Sequence, residues 1–231
     1  MLTKTTNWYS ALFVKKVILK NGLIFNIRNF IDWYIIIETV VLDCYRYNKK
    51  EDAVIDIGAA FGDFSIFAAK KASHVYSIEP EPSSYDLLLK NINNNQIKNI
   101  RTYPIALSST AKSIKLSIDN SNHNHSNAFN KHNSINIKAM TLSEFINKNV
   151  TESNIYIKCD CEGGEYDIFK NIPKGVFNKI DKISMEYHIF TDEHKTQFNV
   201  LKNTFIDNDF KVKISSNPIH NNIGFLFATR S

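Results

Sequence analysis

From residue 53 onward the chain alternates between short apolar runs and amphipathic stretches. Residues 53–57 (AVIDI) end in Gly58, residues 74–78 (HVYSI) end at Glu79-Pro80, and residues 101–107 (RTYPIAL) make a third run. Two more follow at 154–159 (NIYIKC) and 182–187 (KISMEY). Runs this short, apolar on both faces and bounded by turn residues, are buried parallel strands. Between them, residues 64–72, 83–94, 165–171 and 191–207 carry helical patterning, with Ser83 and either Thr191 or Asp192 as N-caps. The alternation predicts an α/β fold with a mostly parallel central sheet and helices on both faces. Residues 210–215 and 224–229 read as two further strands. Their connection is too short for a parallel crossover, so they form an antiparallel C-terminal pair.

The rest of the chain departs from this rhythm. Residues 1–50 read as a helical and hairpin cap: a strand over 23–28 follows the Asn21-Gly22 turn, and Asp32 caps a helix toward Tyr45. Strands are expected at 113–118 and 135–139, then a short helix at 142–147. Between the two strands, residues 119–133 are rich in Asn, Ser and His and have little to bury. Their histidines, His123, His125 and His132, read as solvated and not as a metal site. The segment is expected to be a mobile lid over an acceptor site. No repeat or linker divides residues 51–231, which read as a single globular unit.

Composition narrows the class. With 231 residues, 43% apolar and 22% charged, the chain is neither disordered, fibrous nor a disulfide mini-protein. The net charge of +5 comes from scattered lysines, not from a nucleic-acid-binding tail. It leaves room for an acidic acceptor or peripheral membrane contact. The abundance of Ile and Asn reads as a nucleotide-composition bias. Cys44, Cys159 and Cys161 are an odd number without framework spacing, which points to a reducing compartment. Cys159 and Cys161 are same-face positions of one strand, so no metal is expected. The most apolar early run, residues 31–42, contains Asp32 and Glu38 and is shorter than the roughly 20 residues a bilayer requires. No signal peptide is visible, and a soluble cytoplasmic protein without a transmembrane segment is expected.

The segment VIDIGAAFG carries the strongest local chemistry. A buried strand enters a glycine turn and then a helix. Gly58 lets backbone approach a ligand and Gly62 relieves crowding at the helix start. A dinucleotide site would place glycine where Asp56 stands, whereas an acidic group there suits a ligand bearing an ammonium. Glu79 closes the next strand, at the spacing where a carboxylate accepts both hydroxyls of a ribose.

DIGAAFG, SIEPEP and ALSS resemble the nucleoside-binding elements of class I S-adenosylmethionine-dependent methyltransferases. The segment IKCDCEGGEY, residues 157–166, resembles the K-[IV]-D-[VI]-E-G-[AG]-E hallmark of the FkbM family within that class. Arg28, Asp32, Glu38, Thr141-Leu142 and the EYH of residues 186–188 also match. Cys159 and Cys161 replace the usual Ile and Val. The resemblance implies a Rossmann-like class I methyltransferase using S-adenosyl-L-methionine. It implies methionine near Asp56, Gly58, Ala59 and Gly62, ribose on Glu79, adenine near Pro80, Ile105 and Ala106, and the reactive methyl near Asp160. Asp160, Glu162, Glu165 and His188 are then candidate bases, Asp160, Glu162 and His188 forming the acceptor side, while the alternative for Glu162 and Glu165 is to orient substrate or cap the following helix. If His188 is the base, the rate rises with an apparent pKa near 6–7, about the free imidazole value. The absence of an [ND]PP[YF] segment disfavours amine methylation, and relatives of this kind point to a sugar, glycan or glycolipid hydroxyl. The rival readings are an NAD or nucleotide-sugar oxidoreductase and a non-catalytic cofactor-binding module.

Overall fold

The computed structural model describes residues 15–47, 51–110, 112–117, 134–217 and 222–230. A hairpin of β1 (Lys16–Ile18) and β2 (Ile24–Asn26) leads into α1 (Phe30–Ile36), which continues as a π turn over Ile37–Val41. Then come β3 (Ala53–Ile57), α2 (Asp63–Ala68), β4 (His74–Ile78), α3 (Pro82–Asn94) and β5 (Ile100–Tyr103). A side sheet follows from β6 (Ala106–Leu107), β7 (Ser113–Ser117) and β8 (Ser134–Met140). The chain continues through α4 (Leu142–Asn149), β9 (Ile155–Cys159), α5 (Glu165–Ile168), α6 (Lys174–Phe177) and β10 (Ile180–His188). It ends with α7 (Asp192–Asp207), β11 (Phe210–Ser216) and β12 (Ile223–Arg230).

The main sheet has the order β11-β12-β10-β9-β3-β4-β5. Its five strands from β10 to β5 run parallel, and β12 is antiparallel to both β10 and β11. The expected mostly parallel sheet with an antiparallel C-terminal pair is therefore present. One face, carrying Ile55, Ile57, Ile157 and Met185, packs against α4, α5, α6 and α7 through Phe145, Phe169, Phe177 and Phe205. The other, carrying Val54, Val75 and Tyr156, packs against Phe64 and Ala68 of α2 and against Tyr45 and Tyr47. The order reverses between β3 and β9, so the strand ends at Gly58 and Asp160 lie side by side, with Asp160 N donating to Ile57 O at 3.1 Å. Ligands of open parallel sheets bind at such switch points.

Several local expectations are corrected. Asn29 caps α1, its Oδ1 accepting from Ile31 N and Asp32 N, whereas Asp32 is buried against Arg28. That helical segment stops at Val41, short of Tyr45. Glu81, not Ser83, caps α3, because its longer side chain reaches both Ser83 N and Ser84 N. The single strand expected over 101–107 is two. Pro104 has no N–H for a ladder, and beyond it Ala106 pairs with Ala139 of β8 in the side sheet. The helix expected over 165–171 ends at Ile168, and α6 was not foreseen. The lid expected at 119–133 lies outside the described residues.

The hairpin is fastened by asparagines, which gives part of the Asn abundance a structural use. Asn91 of α3 accepts from Asn26 N at 2.7 Å and donates to the carbonyls of Asn26 and Phe61, while Asn95 bonds both backbone groups of Ile24. These amides stand in for a neighbouring strand. Asn91→Ala strands buried backbone groups, so a loss of ~1–3 kcal/mol in urea unfolding is expected. A loss below about 0.5 kcal/mol, the level of an ordinary surface change, would show that the hairpin is held by its apolar contacts alone.

Candidate functional site

A cavity of about 330 Å³ opens over the switch point. Its floor is Gly58, Ala60 and Asp160 at the ends of β3 and β9; Glu79, Pro80 and Glu81 close β4. The side sheet supplies Ile105, Ala106, Ile114 and Leu116, and α1 supplies the opposite wall through Ile31 and Ile35. Gly58 has φ +75°, and a β-carbon there would run into the carbonyl of Asp160. Only glycine allows the two strand ends to approach this closely.

Glu79 is nearly buried. Its Oε2 accepts from Ala60 N and its Oε1 from Glu81 N, both at 2.8 Å. Burial pushes its pKa up to about 7, against the lowering effect of those two backbone bonds. A carboxylate has roughly four acceptor positions, so capacity remains toward the cavity. Together with the apolar wall of Pro80, Ile105 and Ala106, this acceptor leaves room for a ligand that carries hydroxyls and a flat ring.

Asp56 is placed differently from expectation. It is fully buried and absent from the cavity wall, because its cation is already present: Lys158 Nζ lies 3.2 Å away, and Ser65 Oγ donates at 2.6 Å. Ala59 and Gly62 also lie behind the wall; Gly62 is the left-handed N-cap of α2, under Leu88.

On the far side of Asp160 the structure gathers ionisable groups. β9 and β10 are parallel with Ser184 opposite Lys158, so Asp160, Glu186 and His188 share one face. One ligand atom from each of these three lies within 4.8 Å of the others, a spacing that could hold a metal ion. Tyr45 OH donates to Asp160 Oδ2 at 3.0 Å. Glu162 has φ +51° before the Gly163-Gly164 turn, and its half-exposed carboxylate reaches His188 Nε2 at 3.5 Å. Backbone held in this sparsely populated region is characteristic of functional turns. Behind the imidazole, buried Glu165 accepts from His188 N at 2.9 Å and lies 3.1 Å from Nδ1, while its other oxygen accepts from Gly163 N. Asp160, Glu162 and His188 are thus brought together. Glu165 is an orienting residue; its side chain caps nothing in α5.

Electrostatics follow from this crowding. Burial raises the pKa of Glu186 well above the carboxylate range, and the charge of Asp160 adds to it. Burial and Asp160 likewise raise Glu38 and Glu162. For His188, burial acts to lower the pKa, but the Glu165 bond and the charges of Asp160, Glu165 and Glu162 outweigh it and raise the value to about 9. The titration expected near 6–7 therefore moves upward, because three carboxylates face one buried imidazole.

Tyr45, Glu186 and Lys158 were not among the sequence candidates. Glu186 had a usable signal, standing two residues before His188 on a strand. Tyr45 had none, since only the tertiary fold brings it over Asp160.

The fold is that of the class I methyltransferases. A model of the methyltransferase FkbM domain matches residues 56–212, and the chain belongs to that family. The FkbM methyltransferase of Methylobacillus flagellatus KT is similar at 15% identity and a TM-score of 0.53, over 78% of this chain and 43% of that one. M. capricolum TrmK, solved with S-adenosylhomocysteine, is similar at 13% identity and a TM-score of 0.53, over 83% of this chain and 67% of that one. The uncharacterized protein MJ1452 of Methanocaldococcus jannaschii is 42% identical across 55 residues, 24% of this chain and 21% of that protein. The chain thus spans less than half of the Methylobacillus structure, and its match covers about a fifth of the archaeal relative. Family and fold together support S-adenosylmethionine as the cofactor and set the oxidoreductase reading aside.

His188 carries its proton up to about pH 9, so the stability of its pair with Glu165 is full below the free value of 6.5 and is lost as pH rises through about 9. An NMR titration should place the His188 midpoint near 9, and Glu165→Gln should lower it by about one unit or more. A wild-type midpoint near 6.5 would overturn this account of the cluster.

Proposed function

We propose that the protein transfers a methyl group from S-adenosylmethionine to a hydroxyl of a sugar, glycan, glycolipid or other small acceptor. The observation that carries this is the line Glu165, His188 and Glu162, which ends at the cavity rim beside Asp160. When bound, the cofactor supplies a methyl already activated by its sulfonium. The protein's task is to hold donor and acceptor in line and to remove the hydroxyl proton.

In this reading Glu79 accepts the ribose hydroxyls, while Pro80, Ile105 and Ala106 cover the adenine. Asp160, oriented by Tyr45, stands beside the reacting centre. Glu162 takes the acceptor proton, and the imidazolium of His188 faces the resulting carboxyl and steadies the charge that precedes transfer. Glu165 fixes His188 and takes no proton itself. His188 serves as a protonated partner near neutrality, not as the free base. No helix among the described residues is long and apolar enough to cross a membrane. The free cysteines Cys44, Cys159 and Cys161 suit a reducing cytoplasm, and the scattered positive charge gives no reason to invoke a nucleic-acid acceptor.

S-adenosylhomocysteine should bind the purified protein, and Glu79→Ala should weaken binding by roughly 1–3 kcal/mol, the cost of leaving polar partners unmet. Because the ionised form accepts the hydroxyls, affinity should rise with pH through about 7 and then level off. Calorimetry giving the same affinity in the variant would remove Glu79 from the ribose role.

A screen of hydroxyl-bearing glycans for a product heavier by one methylene, with labelled donor, identifies the acceptor. On that acceptor Glu162→Gln should lower turnover about 10²–10⁴-fold, the range for lost general-base catalysis, and His188→Ala should lower it as well, by less, because it removes the cation that faces Glu162. Binding of S-adenosylhomocysteine should stay intact in both. Binding without turnover on any acceptor would favour the non-catalytic module.

A further inference from the structure

Lys158 is a buried lysine that the proposed chemistry leaves unused. It stands in β9 opposite Asp56 of β3, with its side chain only 5% exposed. Its ammonium has three donors, and three neighbours surround it. Asp56 Oδ1 lies at 3.2 Å, Gly58 O accepts at 2.8 Å, and the Tyr45 ring centroid lies 5.3 Å away. A plain ion pair would need only Asp56. The bond to Gly58 O reaches instead into the turn that floors the cavity.

Within the turn, Gly58 N and Ala59 N both donate to Ile78 O at 3.0 Å, Gly62 N donates to Ala59 O at 2.8 Å, and Ala60 N donates to Glu79. Asp160 N ties Ile57, the residue before the turn, to the end of β9, and the bond from Lys158 ties the Gly58 carbonyl itself to that strand. If that carbonyl moves, the amide of Ala60 moves too, and with it one of the two bonds that aim Glu79. We propose that Lys158 is a positioning residue for the methyl donor: it latches the turn from Gly58 to Ala60 and so sets the pose of Glu79 toward the nucleoside. It acts through that turn and touches no reacting atom. The proposal rests on the reading that this turn and Glu79 hold the donor.

The test separates a latch from a structural ion pair. Removing Lys158 alone leaves Asp56 buried without its cation, which destabilises the fold for trivial reasons. The double variant Asp56→Asn with Lys158→Met removes both charges and keeps the volume. S-adenosylhomocysteine binding is measured by calorimetry alongside thermal unfolding. Phe205→Leu, a core change on the opposite face of the sheet, is the control for general destabilisation. The expected result is wild-type binding, a folded double variant whose affinity is at least ~10-fold weaker, and an unchanged affinity in Phe205→Leu. A folded double variant with wild-type affinity would overturn the latch and leave Lys158 a structural partner of Asp56. If the double variant does not fold, the alternative charge-neutral pair Asp56→Asn with Lys158→Leu is read in the same way: a tenfold loss supports the latch, and unchanged affinity overturns it. Failure of the wild-type protein to bind S-adenosylhomocysteine would instead overturn the donor site itself.

Discussion

The buried contact between Asp56 and Lys158 is the constraint around which the site is arranged. Two charges removed from water cost several kcal/mol each, and their mutual attraction repays this only with good geometry and further hydrogen bonds. The charges meet at 3.2 Å without a hydrogen bond on Asp56 Oδ1, so the further bonds around the pair carry more of the compensation. Parallel register puts the two residues opposite each other on adjacent strands, Ser65 supplies a hydroxyl from α2, and the Gly58 carbonyl takes another proton of the ammonium. Strand β3, strand β9 and the start of α2 are thereby joined at one point, directly beneath the cavity. Burial acts to lower the Lys158 pKa, but Asp56, followed by Asp160 and Asp63, outweighs it, so the ammonium keeps its charge.

From that pair a row of ionisable groups crosses the sheet. Asp56, Lys158, Asp160, Glu186 and His188 all lie on the face that packs against the cap, because strand side chains alternate and the three strands are in parallel register. Positive and negative groups roughly alternate toward the rim. The same alternation sends Ile55, Ile57, Ile157 and Met185 to the opposite face, where they form the core. One period therefore builds the hydrophobic interior and the polar site from the same strands. Crowded carboxylates raise one another's pKa values, as Asp160 does for Glu186 and Glu162, and the imidazolium at the end of the row offsets part of that charge.

Much of this was legible in the sequence wherever a signal was local. Short apolar runs marked β3, β4, β9 and β10, the glycine turn after Ile57 marked the ligand edge, and the spacing to Glu79 put a carboxylate on the cavity wall. The surroundings of Asp56 were not legible, for a long-range reason. An acidic residue at a strand end looks ligand-facing until a lysine from a distant strand is seen beside it. The caps failed for a short-range reason, since Asn29 and Asp32, like Glu81 and Ser83, compete for the same amides within a few residues. Pro104 was visible, but its effect depended on where β8 lay. The raised titration of His188 needed Glu165, Glu162 and Asp160 together in space, which no spacing rule expresses.

The cap completes the site in a way that the parallel sheet alone could not. An open sheet leaves its strand ends facing solvent, and a reaction that must exclude water from an activated methyl needs a wall there. Here α1 supplies Ile31 and Ile35 to the cavity wall, and Arg28 and Asp32 tie its start to Ser84 of α3. The π turn then alters the helical phase in the segment that carries Glu38, which accepts from Tyr34 OH at 2.7 Å. Such widened turns often accompany functional sites. Just beyond it, Tyr45 is buried under Phe64 and Phe225 and places its hydroxyl on Asp160. The aromatic packing that fixes the cap to the sheet is thus the same packing that orients the carboxylate. A change that loosens the cap would therefore disturb both Asp160, through Tyr45, and the cavity wall that α1 supplies.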